Sequence, residues 1–136
     1  HPEVKNLYVL NGQSHLALAA ADAAMVTSGT ATLEAALFKC PMVISYDMPW
    51  LSWQITQAKR LQPWVGLPNI LCQDFVVPEL LQERATPQAI AQAVLSWLQP
   101  SSKKNQLKKT FETLHQSLKA DTPSLAIHAI EKVLSA

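Results

Sequence analysis

Residues 25–46, MVTSGTATLEAALFKCPMVISY, constrain the fold more than any other stretch of the chain. An apolar run, Ala23–Val26, breaks at Thr27-Ser28-Gly29-Thr30 and gives way to an Ala/Leu-rich helical pattern that continues to Phe38. After Cys40-Pro41 a second apolar, partly β-branched run covers Met42–Ser45. Strand, tight turn, helix and strand in that order make the βαβ unit of a parallel sheet. Sheets of this kind bind ligands where a strand's carboxyl end meets the next helix's amino end, and this turn sits there.

The turn residues suit an anion. Backbone N–H groups of Gly29, Thr30 and Ala31 have no helical acceptor at a helix start and point towards incoming negative charge. Gly29 allows close backbone approach, and the Ser28 and Thr30 hydroxyls can donate further bonds. Glu34 lies four residues after Thr30, on the same side of the helix, while Leu33 and Leu37 form a separate packing pair. A carboxylate one turn below a phosphate is badly placed for phosphate and well placed for two sugar hydroxyls. The expected ligand is a nucleoside diphosphate with its ribose on Glu34. Ordinary helix capping is the competing reading of Ser/Thr/Gly here. It leaves Glu34 unexplained, because a capping box needs Glu or Gln three residues after the cap, where Ser28 and Thr30 have Ala31 and Leu33.

A chain of 136 residues fits one domain with one core. Charged residues make up 15% of it, below the usual ~25%, which suits a covered or membrane-adjacent surface. A net charge of +1 gives no general case for nucleic-acid binding. Cys40 and Cys72 form no metal or redox motif, the four histidines show no ligand spacing, and no metal is expected. No apolar run approaches the ~20 residues of a membrane span. The first residue is His1, and the expectation is that the chain belongs to something longer.

Taken in order, Leu7–Leu10 reads as a short buried strand ending at the Asn11-Gly12 turn, and Ser14 as the cap of a helix through Ala20. The first 45 residues then alternate β, α, β, α, β, a three-layer α/β arrangement with a small sheet. A helix is expected from about Met48 to Leu61, closed by Lys59 and Arg60. Leu51, Ile55 and Ala58 form one of its stripes, and Trp50, Trp53 and Gln57 another. With Trp64 beyond it, this tryptophan-rich segment is read as packed on the core or a domain interface, with lipid contact as the alternative. Pro68 restrains the loop that holds Asn69, and Pro78 opens a helix with Glu79 and Gln82 on one face. Thr86-Pro87 is a strong helix start, with Ile90, Val94 and Leu98 as the apolar stripe. A polar helix follows over about Lys103–Lys119, its core face Leu107, Phe111, Leu114 and Leu118. Its lysine run is read as a solvated face, with acidic lipid as the alternative. Ser124–Leu134 is expected to be a terminal packing helix.

The segments SGTATLEAALFKCPMVISY, LPNIL and VVPELLQERATP, in this order, resemble the C-terminal half of the bacterial lipid A disaccharide synthase family. The likeness covers nearly the whole chain and is densest over residues 22–87. It implies a GT-B glycosyltransferase and a partial Rossmann-like parallel sheet with flanking helices. Residues 1–136 would be the C-terminal nucleotide-sugar-binding domain, with a helical tail from about 101. The family's reaction joins a UDP-2,3-diacylglucosamine donor to a diacylglucosamine 1-phosphate acceptor, inverts the donor's anomeric centre and releases UDP.

Carried onto this chain, the resemblance puts Ser28, Gly29, Thr30 and Thr32 near the diphosphate and Glu34 on ribose. Asn69, Glu79 and Gln82 would line the same cleft. It implies no cofactor or metal, a position at the cytoplasmic face of the inner membrane, lipid-linked substrates and compatibility with a homodimer. The catalytic base is expected in an N-terminal half that this sequence does not contain, so the chain alone is not expected to catalyse transfer. Family members often carry a basic residue after the tyrosine of the second strand, where Asp47 follows Tyr46 here. Three alternatives stand beside this assignment: a non-catalytic or truncated nucleotide-sugar-binding module, a related UDP-GlcNAc-using enzyme, and a pure interaction module that would not bind UDP.

Overall fold

The computed structural model describes residues 6–27, 29–59 and 61–135. Among these, three strands form one parallel sheet in the order β1 (Ala24–Val26), β2 (Met42–Tyr46), β3 (Glu79–Leu81). Val26, Ile44 and Glu79 share one row across the sheet. All three strands therefore end on the same rim. Helices α2 (Thr30–Leu37), α4 (Leu67–Cys72) and α6 (Ser102–Leu118) pack on one another over one face, and α5 (Pro87–Leu98) packs on β1 and β2 from the other. The expected class holds: a small parallel α/β sheet with helical layers, consistent with a partial Rossmann-like half of a GT-B fold.

The core is where the apolar patterns are strongest. Met42, Val43 and Ile44 are fully buried along β2, the central strand. A strand covered on both faces reads as a continuous apolar run, as this one does. Ala35 and Ala36 let α2 approach it closely, and α6 supplies Leu107, Phe111 and Leu114. Leu118, expected on the same face, stays 43% exposed at the helix end. Thr86 caps α5 by accepting from the Ala89 amide, and Trp97 buries. Ile90 and Val94 pack partly on the core, while Leu98 remains half exposed.

Several expectations are corrected. Leu7–Leu10 is not a strand: Leu7, Tyr8 and Val9 are more than two-thirds exposed, and β1 is an edge with no ladder partner from this segment. The third strand is instead Glu79–Leu81, expected to be helical. Pairing with β2 overrides its modest helix propensity, a common outcome for short segments. The Asn69 segment is not a loop but the short α4, with Pro68 in its first turn. Ser14 is the first residue of α1 (Ser14–Ala20) rather than its cap; Gln13 precedes it with no side-chain cap bond.

The tryptophan-rich helix, α3, spans Trp50–Ala58 and buries no residue, so its core packing is overturned. Trp50 is 69% exposed, and Trp53 and Trp64 are half-buried. Arg60, expected at this helix's end, lies outside the described residues. Finally, α7 (Thr122–Leu134) does not pack: Leu125, Ile127, Ile130, Val133 and Leu134 are all exposed. Its apolar period is real, but the described residues offer it no surface.

Candidate functional site

The rim at the strands' carboxyl ends is organised by the turn between β1 and α2. Gly29 precedes α2 with φ 117° and ψ −162°. That backbone region is essentially restricted to glycine and costs other residues about 1–3 kcal/mol. Thr30 and Ala31 begin the helix at the surface, and no described side chain caps them. Helix geometry leaves their amides without intrahelical acceptors, at the positive end of the helix dipole. Ser28, a predicted phosphate contact, lies outside the described residues.

Thr32 is not at the surface. It is fully buried; its hydroxyl donates to Gly29 O (2.7 Å) and accepts from the Leu67 amide (3.2 Å). One side chain thus ties the turn to the start of α4. Asn69 and Glu79 complete this internal bracing. Asn69, fully buried, donates from Nδ2 to Val77 O and Glu79 Oε1 (both 2.9 Å) and accepts at Oδ1 from the Val77 amide (3.0 Å). Glu79, 6% exposed, accepts from the Val65 amide through both oxygens and from the Gly66 amide at 2.8 Å. The carboxylate has no cation beside it in these bonds; N–H groups surround it, as a buried charge requires.

Gln82 braces the next loop. With its amide oriented so that each atom meets a complementary partner, Nε2 donates to Asp47 Oδ1 and Met48 O, and Oε1 accepts from the Met48 amide at 2.9 Å. These bonds span from the end of β3 to the connection after β2 and hold Gln82 at φ 53°. Asp47, the acidic residue after Tyr46, is therefore engaged within the fold. Beside β3 a cleft of about 340 Å³ is lined by Trp53, Phe75, Glu79, Leu81 and Arg84, among others.

Glu34 behaves differently from these braces. Its side chain is 40% exposed and turned towards α1, where His15 Nε2 lies 3.4 Å from Glu34 Oε2. The structure thus divides the predicted residues. Gly29, Thr30 and Glu34 stand at the solvent side of one short helix, while Thr32, Asn69, Glu79 and Gln82 are engaged with the protein behind them. His15 and Gly66 were missed. Nothing in the sequence pairs His15 with Glu34 across 19 positions, whereas a glycine just before Leu67-Pro68 is a visible signal of close approach.

Burial pushes both thiols up: at Cys40 nearby Lys104 partly opposes the effect, and at Cys72 the Asp74 charge adds to it. Both stay protonated near neutral pH, which argues against a thiolate nucleophile. No cluster of three or more potential metal-ligating side chains occurs among the described residues. Nor does any of their helices have the length and apolarity to cross a membrane.

The family model for lipid-A-disaccharide synthetase matches residues 2–131. The lipid-A-disaccharide synthase of Albidiferax ferrireducens is 61% identical over 133 residues, covering 95% of this chain and 34% of the relative. That of Thiobacillus denitrificans is 53% identical over 130 residues, covering 96% and 35%. The enzyme of Verminephrobacter eiseniae is 51% identical over 135 residues, covering 96% and 35%. The chain spans about a third of the length of these curated relatives. A match along nearly every element of the sheet and its helices leaves one assignment: the chain belongs to the lipid-A-disaccharide synthetase family.

Proposed function

We propose that the chain is the UDP-sugar-binding half of an inverting lipid A disaccharide synthase. The full-length protein would transfer 2,3-diacylglucosamine from its UDP donor to 2,3-diacylglucosamine 1-phosphate. One observation carries the reading: a glycine-only turn at the end of β1 opens onto exposed amides of α2, with the Glu34 carboxylate one turn further on. The diphosphate meets Gly29, Thr30 and Ala31, and the ribose hydroxyls meet Glu34. As the glycosidic bond to UDP breaks, negative charge grows on the departing diphosphate, and fixed amides and the Thr30 hydroxyl stabilise it. The reaction needs no metal in this scheme, and its base belongs to residues outside this chain, so the chain alone is inactive.

In this scheme Thr32, Asn69, Glu79 and Gln82 position loops rather than touch the nucleotide. Their burial and internal bonds support that division. The exposed Trp50, Leu51 and Ile55 of α3, with Lys59 at its end, favour a place at the cytoplasmic face of the inner membrane, where the lipid-linked substrates lie.

Calorimetric titration with UDP tests the proposal. Glu34→Ala is expected to weaken binding about ten-fold or more, equivalent to about 1.4 kcal/mol. Equal affinity in the two folded proteins would remove Glu34 from the site.

A further inference from the structure

His15 reaches from α1 to Glu34 of α2 and to Phe38, the residue that closes that helix. Its Nε2 lies 3.4 Å from Glu34 Oε2, and its ring rests on Phe38 with centroids 5.4 Å apart and planes tilted by 43°. Glu34 and Phe38 are four residues apart, on one side of the helix, so a single imidazole spans both. We propose that His15 is a positioning residue for Glu34, holding one carboxylate oxygen so that the other is presented to the ribose hydroxyls. The proposal rests on the nucleotide reading given above.

Two observations and one general argument carry it. The His15 and Glu34 side chains are 69% and 40% exposed, and a pair so open to water adds little to fold stability. A long, half-exposed Glu would otherwise sample several rotamers, and fixing one in advance improves binding without a new ligand contact. The imidazole contacts the Phe38 ring, and Leu18 of the same helix packs against the core.

Affinities for UDP and 2′-deoxy-UDP separate positioning from general support of the fold. The probes are titrated into the whole chain and its His15→Ala, His15→Gln, Glu34→Ala and doubly substituted forms. Wild type is expected to prefer UDP by about ten-fold, His15→Ala to reduce that preference to about three-fold, and His15→Gln, which keeps a donor, to restore part of it. Glu34→Ala should abolish the preference, and adding His15→Ala to it should change nothing further, the signature of two residues acting as a unit. An unchanged preference in His15→Ala, or equal weakening of both ligands, overturns the proposal while leaving Glu34 in place. If wild type binds UDP without preferring it over the deoxy analogue, the ribose role of Glu34 has failed and the His15 proposal falls with it. If wild type binds neither, the nucleotide reading itself has failed.

Discussion

Glu79→Ala is expected to destabilise the chain by about 2–5 kcal/mol, because it strands buried donors instead of merely deleting a contact. The Val65 and Gly66 amides and one Asn69 amide hydrogen converge on this carboxylate. The side chain they meet is only 6% exposed, so its removal takes their acceptor out of the interior. Glu79→Gln is the informative companion. Oε1 takes three of the four contacts, so an amide with its oxygen there keeps most of them and the loss should be only about 1–2 kcal/mol. Urea unfolding followed by circular dichroism measures both. A cost below about 0.5 kcal/mol for Glu79→Ala would place it among neutral surface changes and mean that the carboxylate does not hold α4.

Gly66→Ala should destabilise by about 1–3 kcal/mol through overpacking. Backbone freedom is not the issue, since Gly66 has φ −78°. A Cβ there would overlap Ile44 Cδ1 and stand 3.4 Å from Glu79 Oε1. Ile44 is fully buried in the central strand, so its tip has little room to move away. Shortening it offers a test: Ile44→Val alone should cost about 0.5–1.5 kcal/mol. The double variant should then cost less than the sum of the singles by at least about 0.5 kcal/mol. Strict additivity would show that the clash is relieved elsewhere. Any shift of α4 also reaches the candidate site, because the Leu67 amide bonds the Thr32 hydroxyl behind the Gly29 turn.

The parts legible in the sequence are those whose signals are local. The β1–turn–α2–β2 unit is written in consecutive residues, and Thr86-Pro87 marks its own helix start. Leu107, Phe111 and Leu114 show the helical spacing of a buried stripe. The parts that were not legible depend on partners distant in sequence. Leu7–Leu10 has strand-like composition, but a strand forms only beside another, and β1 gives it no ladder. Glu79-Leu80-Leu81 has residues that favour helix, and only β2 alongside makes it a strand. The α7 pattern states that one face is apolar without stating what would cover it. The same limit applies within the site. Asn69, Glu79 and Thr32 were recognisable as groups able to bond a ligand, yet composition cannot show that those capacities are already used inside the fold.

UDP is expected to bind at the Gly29 turn, and amide chemical shifts of the isotopically labelled chain, followed during a UDP titration, locate its site. Binding at that turn should give saturable shifts concentrated at Gly29, Thr30, Ala31 and Glu34, with smaller ones at His15. Saturable shifts centred elsewhere, or none at all in a chain whose spectrum shows it to be folded, would contradict it.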